Sequence, residues 1–210
     1  MPRIPPVLAV AFLLNTASAG GATIDVATTD SHGHPALNAV VSLTPTSAAA
    51  ASTHLPVEAI IDQRKETFVP LVTVVRTGGR VTFTNNDTTM HQVYSFSPVK
   101  QFAFEIDEGR KSEPIVFNRT GIVAIGCNIH DHMIAYVFVT DSPWVALSDA
   151  HGLARIDAPP GTYRVEIWHP QLTPGHPAPS AALTVKGASR LAFSLPLLAP
   201  PPKHRHMGSY

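Results

Sequence analysis

Residues 121–140 read GIVAIGCNIHDHMIAYVFVT, and this stretch decides the fold. Gly121 to Cys127 and Met133 to Val139 each favour an extended strand, being rich in β-branched and aromatic residues. The loop between them carries a thiol, an imidazole and a thioether in the spacing C-x-x-H-x-x-M, at Cys127, His130 and Met133. Because one strand stops at Cys127 and the next begins near Met133, the three side chains can gather around one point. A soft thiolate, an imidazole and a thioether together suit copper.

A fourth ligand has to come from elsewhere, and His91 is the candidate. It follows the strand-like run Val81-Thr82-Phe83-Thr84-Asn85 and stands 36 positions before Cys127, a separation that lets a neighbouring strand return beside the loop. Taken singly, each residue has a plainer reading. Cys127 alone would be a small buried hydrophobe, Met133 a core residue, and His91 a hydrogen-bonded core histidine. Only the combination makes a metal set.

Outward from this centre, Ala59–Asp62, Phe68–Val75, Arg80–Asn85, Gln92–Phe96 and Ile115–Phe117 also favour strands. Turn residues at Thr77-Gly78-Gly79, Asn85-Asn86-Asp87, Glu108-Gly109 and Arg119-Thr120-Gly121 separate them. Short strands at this spacing predict a β-sandwich with no helix of useful length. On the N-terminal side, residues 23–44 show two β-rich runs around Ser31-His32-Gly33-His34-Pro35, which predicts a hairpin. Residues 45–56, mostly Ala, Ser and Thr, read as a surface connection. After Asp141-Ser142-Pro143 a second block of short strands runs to Leu197, and the Pro-rich tail 199–210 reads as flexible.

Two resemblances follow from these residues. The block 57–141, through Val81-x-Phe83-x-Asn85-x-Asp87-x-x-x-His91 and the Cys127 loop, resembles the cupredoxins, blue copper proteins of the amicyanin and plastocyanin type. Tyr94-Ser95-Phe96-Ser97 and Gly126-Cys127-Asn128-Ile129-His130-Asp131 are similar to the plastocyanin-like proteins often labelled methylamine utilisation proteins. The resemblance implies a Greek-key β-sandwich with one type 1 copper held by His91, Cys127, His130 and Met133. Amicyanins place Asn after the first histidine where this chain has Gln92, which implies that the supporting hydrogen bond passes to another residue, with Asn85 the candidate. His132, between two ligands, is expected to point away into solvent.

Residues 23–45 and 143–198 together resemble the carboxypeptidase regulatory-like, transthyretin-type β-sandwich. The motifs are Asp30-Ser31-His32-Gly33-His34-Pro35, Ser148-Asp149-Ala150-His151-Gly152 and Pro159-Pro160-Gly161-Thr162-Tyr163-Arg164-Val165. The fold expected is therefore all-β, a cupredoxin sandwich inserted in a second small β-sandwich domain. Its rival is a single sandwich with an irregular C-terminal extension.

Composition narrows the function. The 210 residues, 44% hydrophobic, can bury a real core. Fifteen basic residues balance fifteen acidic ones, so net charge points to neither nucleic acid nor an anionic membrane. The N-terminus has one Arg, an apolar run from Val7 to Leu14 and Ala17-Ser18-Ala19, a signal peptide (1–19) with cleavage after Ala19. That predicts a periplasmic protein with no membrane span after cleavage. Exported proteins use cysteines in pairs, and here there is one, Cys127. A metal would occupy the thiol.

The expected function is one-electron transfer between redox proteins. The copper proteins that add catalysis join two sites by a His-Cys-His run, whereas Gly126 and Asn128 flank Cys127, so an enzyme is not expected. His32-x-His34 and His204-x-His206 read as solvated. The resembled family suggests an exposed His130 edge as the electron port, with Met90, Pro98 and Ile129 as a weak apolar docking patch. The alternative is a copper-binding, storage or interaction module without electron transfer.

Overall fold

The computed structural model describes residues 21–47 and 56–199. The signal-peptide reading, most of the 45–56 connection and the tail beyond Ala199 lie outside them. Among the described residues the fold is all-β, with sixteen strands and no helix. In chain order these begin with β1 (Ala22–Asp30), β2 (Val40–Pro45), β3 (Glu58–Gln63), β4 (Phe68–Val69), β5 (Val72–Arg76) and β6 (Gly79–Asn85). There follow β7 (His91–Ser97), β8 (Lys100–Ile106), β9 (Ile115–Phe117), β10 (Gly121–Cys127) and β11 (Ile134–Thr140). The last are β12 (Trp144–Leu147), β13 (Leu153–Ala158), β14 (Gly161–Trp168), β15 (Ser180–Val185) and β16 (Ser189–Leu195).

Four sheets form, in the orders β13-β1-β16, β12-β2-β14-β15, β4-β3-β6-β9 and β5-β11-β10-β7-β8. Alternation decides which faces meet. In β6, Val81, Phe83 and Asn85 are buried and Thr82 and Thr84 are not; in β10, Val123, Ile125 and Cys127 are buried. The third and fourth sheets enclose one core, with Phe83 in edge or tilted contact with Phe68, Phe102 and Phe104. The first and second enclose another around Ile24, Leu43, Trp144 and Tyr163. On its outer face β11 meets the other sheet pair, Tyr136 and Phe138 packing on Trp168 at ring separations of 5.5 and 5.8 Å.

Two sequence expectations are corrected, and one strand is added. Residues 23–44 are not a hairpin: β1 pairs β13 and β16, while β2 pairs β12 and β14 in the facing sheet. Both edges of β1 are taken, and residues 31–39 connect the two facing sheets, with Ala36 and Ala39 of that connection buried in the core. Phe68–Val75 is not one strand. Pro70 has no amide to donate to a ladder, and the chain changes sheets there, β4 pairing β3 and β5 pairing β11. Strand β8, unassigned in the sequence, pairs the whole length of β7. Its pattern, exposed Gln101, Ala103 and Glu105 alternating with half-buried Phe102 and Phe104, belongs to an edge strand.

The three turn motifs of the flanking sheets act as caps. Asp30 Oδ1 accepts the amides of His32 and His34 at 2.8 and 2.9 Å, and Asp149 Oδ1 those of His151 and Leu153 at 2.8 and 3.0 Å. Gly152 has φ +72° and any Cβ there would stand 2.3 Å from the Thr28 carbonyl, so only glycine fits. The Tyr163 hydroxyl donates to the Pro159 carbonyl at 2.8 Å.

Candidate metal centre

The site is assembled by the pairing of β10 with β7, in which Cys127 lies opposite Val93 and Gly126 opposite Tyr94. This sets the end of β10 against the start of β7, where His91 stands. Alternation turns Cys127 and His91 inward, 2% and 0% exposed, and turns Gly126 outward beneath Tyr94. A Cβ on Gly126 would lie 2.7 Å from the Tyr94 ring, so glycine is required for that ring to lie across β10.

Residues 128–133 fold back over the strand end through a few defined bonds. The Asn128 amide donates to the Gln92 carbonyl at 3.1 Å, and Asn128 Nδ2 to Gln92 Oε1 at 2.7 Å. The Met133 amide donates to the His130 carbonyl at 3.0 Å. The return brings His130 over the thiol. Cys127 Sγ is 3.6 Å from His91 Nδ1 and 4.0 Å from His130 Nδ1, and the imidazole centroids are 5.1 Å apart. All three donor atoms lie within 4.8 Å of one another.

These separations fit one metal ion. With metal–sulfur about 2.3 Å and metal–nitrogen about 2.0–2.1 Å, sulfur and nitrogen on a shared ion stand roughly 3.6–3.8 Å apart for tetrahedral to trigonal angles. One observed distance falls in that range, and the other exceeds it by about 0.2 Å, which a small movement of the His130 loop would close.

The outer nitrogen of His91 has its own partner: Nε2 stands 2.9 Å from Asp87 Oδ2. A carboxylate only accepts, so Nε2 carries the proton and the Nδ1 lone pair faces the thiol, the tautomer a metal requires. Burial alone would raise the Asp87 carboxyl; the amide of Glu66, the His91 imidazole and the amide of Lys65 together hold it below the ordinary value. Asn85 shapes the loop that presents both residues. Its Nδ2 donates to the Thr89 and Ile106 carbonyls at 2.8 and 2.9 Å, and its Oδ1 accepts the Asp87 amide at 2.9 Å.

The structure thus brings His91, Cys127 and His130 together. Met133, 2% exposed, is buried in the same core as Cys127 and tied to His130 through the backbone. The supporting bond on His91 comes not from Asn85, the expected candidate, but from the Asp87 carboxylate, because the Asn85 side-chain amide is taken up by the Thr89 and Ile106 carbonyls and the Asp87 amide; Gln92 tethers the ligand loop through Asn128. His132 does not simply face solvent: its Nε2 is 3.8 Å from Glu66 Oε2, and Glu66 Oε1 is 3.7 Å from His130 Nε2. Met90 and Ile129, 38% and 48% exposed, flank the site end. Pro98 is exposed beyond the far end of β7, roughly 20 Å from His91 at 3.3 Å per residue, so it is no part of a patch there. His32 and His34 are exposed on their turn, as expected. Sequence reading named Asp87 in its pattern without giving it a role, and missed Glu66. A D-x-x-x-H spacing pointed to the first; nothing local pointed to the second.

No protein-family model and no curated protein sequence matches the chain. Among solved structures it is similar to a copper-containing nitrite reductase (NirK) from Thermus scotoductus SA-01, at 21% identity and TM-score 0.37, over 47% of this chain and 25% of that one. It is similar to a purple cupredoxin from Nitrosopumilus maritimus, at 24% identity and TM-score 0.34, over 39% of this chain and 96% of that one. Amicyanin from Paracoccus versutus gives 21% identity and TM-score 0.36, over 47% of this chain and 98% of that one.

Proposed function

We propose that the chain is a periplasmic copper protein that carries single electrons between redox partners, with residues 57–141 as the metal-bearing unit set within the sandwich of residues 23–45 and 143–198. The observation that carries this reading is the convergence of two Nδ1 atoms on one buried thiol, 3.6 and 4.0 Å away. His91, Cys127 and His130 would hold the ion, with Met133 as the thioether neighbour. Two imidazoles and a thiolate are the set that copper electron-transfer sites use, and a bound copper ion would supply a one-electron couple there.

The chain's own residues supply the rest. Cys127 at 2% exposure and His91 at 0% keep water from the thiolate. Asp87 orients His91, and the Asn128–Gln92 bonds orient the loop, so the ligands are fixed before anything binds. The side chain of His130 keeps 19% exposure and offers the shortest route between the buried thiol and a partner. A closed, preorganised set of this kind favours electron transfer over substrate chemistry, so the reading is not an enzyme. In an exported chain the single cysteine has no disulfide partner, and a bound ion would occupy its thiol. Among the described residues no helix is long and apolar enough to cross a membrane.

Copper(II) added to the mature chain tests the reading. An intense thiolate-to-copper absorption, bleached reversibly by reductant and absent from Cys127→Ser, is expected. Copper binding without that band, or without reversible reduction, would favour the storage or interaction alternative, and a colourless chain that takes up no copper overturns the reading.

A further inference from the structure

The turn between β3 and β4 is built in an unusual way. Arg64 and Thr67 exchange backbone hydrogen bonds at 3.1 and 3.2 Å, leaving Lys65 and Glu66 as the two central residues, both at φ 52°. A two-residue turn with positive φ at both centres normally uses Asn-Gly, because each side chain there is strained against the backbone. Here neither is glycine. The turn is held instead by two carboxylates, Asp87 from the loop after β6 and Asp62 from β3 itself. Asp87 accepts both central amides, from Lys65 and Glu66, while its Oδ2 also meets His91 Nε2. Asp62 binds the Arg64 guanidinium and accepts from Thr84 Oγ1 and Asn86 Nδ2 at 2.6 and 2.7 Å.

One consequence of this arrangement is the placement of the Glu66 carboxylate. Its two oxygens divide between the two histidines of the ligand loop, Oε1 to His130 Nε2 at 3.7 Å and Oε2 to His132 Nε2 at 3.8 Å. His132 thus lies within ion-pair distance of a carboxylate at each ring nitrogen, Glu66 Oε2 at Nε2 and Asp131 Oδ1 at Nδ1, 3.9 Å away. A third imidazole two residues from His130 would otherwise be a better donor to copper(II) than a thioether. A glycine at position 66 would relieve the turn but could not do this. Backbone strain retained next to a site is commonly offset by what it positions.

We infer that Glu66 is a selectivity residue of the metal centre: anchored through Asp87, it orients His130 and holds His132 out of the ligand set, leaving two imidazoles and the Cys127 thiolate to the ion. This inference rests on the copper reading above. It makes Asp87 a shared anchor, since one carboxylate fixes the inner histidine directly and the outer two through the turn.

Spectra of the copper(II)-loaded parent, Glu66→Ala, Glu66→Gln and the double variant Glu66→Ala/His132→Ala test it. In the parent the thiolate band is expected. In Glu66→Ala it should weaken and shift, the copper hyperfine splitting should widen and the midpoint potential should fall, as a third imidazole joins; the double variant, which removes that imidazole but not the loss at His130, should reverse most of each change. A metal-free measurement accompanies these. Nitrogen–proton correlation spectra of the imidazoles should show His132 and His130 signals displaced in Glu66→Gln, with those of His91 unmoved. Glu66→Ala with parental spectra, or a double variant that fails to reverse most of the change, overturns the inference while leaving the copper reading intact. Unmoved His132 and His130 signals in Glu66→Gln also overturn it. A parent without the thiolate band overturns both.

Discussion

The two sheet pairs of this chain each bury one histidine deeply, and the comparison of His91 with His169 shows how a fold separates a ligand from a structural side chain. His169, 6% exposed, uses both ring nitrogens on nearby backbone: Nε2 donates to the Leu37 carbonyl at 2.9 Å and Nδ1 accepts the Gln171 amide at 3.1 Å. Nothing is left for a ligand. His91, 0% exposed, gives one nitrogen to a carboxylate and turns the other to a thiol that a second imidazole also faces. Burial is nearly the same in the two cases. What differs is the chemistry of the partners, since backbone groups complete an imidazole whereas a thiol and a second imidazole leave lone pairs converging on one point.

The strongest way to break the comparison is through the cores. Phe83→Ala, removing the ring that three other phenylalanines surround, is expected to destabilise the site-bearing sheets by about 3–5 kcal/mol and to abolish copper uptake at 37 °C. Chemical denaturation and copper titration check it, and retained uptake would show that the site does not depend on that core. Next, Asp87→Asn replaces a pure acceptor by an amide, and metal affinity should fall by roughly 10- to 100-fold with the fold intact. His169→Asn should leave affinity unchanged, and an equal loss there would erase the distinction between the two histidines.

The third prediction concerns pH. Burial lowers the His169 value below the ordinary histidine value near 6.5, against the opposing effect of the Leu37 carbonyl. The unfolded chain then binds a proton that the folded chain does not, so this contribution to stability is full above about pH 6.5 and is lost as pH falls toward the lower folded value. Denaturation midpoints between pH 7.5 and 5, in a conventional buffer series, should fall more steeply for the parent than for His169→Asn. The smallest effect expected is from Tyr163→Phe, which removes the bond to the Pro159 carbonyl and keeps the ring: about 1 kcal/mol, with copper binding untouched.

Much of the centre was legible in the sequence because it is local. Cys127, His130 and Met133 share one loop between two strands, and the alternation in β10 puts Cys127 inward without knowledge of the partner sheet. His91 was legible only by its distance from that loop and by a resemblance. Errors clustered where pairing is non-local. The run 23–44 shows two strands and a turn, but hydrophobic pattern carries no information on whether neighbours pair or face each other across a core, and here they face. Strand β8 was missed because an edge strand buries only part of one face, which weakens its signal.

By itself the sequence determined an all-β chain with a soft-donor loop, through residue chemistry and a period of two that hold for any arrangement of sheets. Tertiary structure alone decided which strands pair, that β7 lies beside β10 so that His91 reaches Cys127, and that a turn between β3 and β4 sets Glu66 against His130 and His132. The physical reason is that such contacts join segments far apart in the chain. Their closure depends on packing two complete sheets, a property no local window of sequence contains.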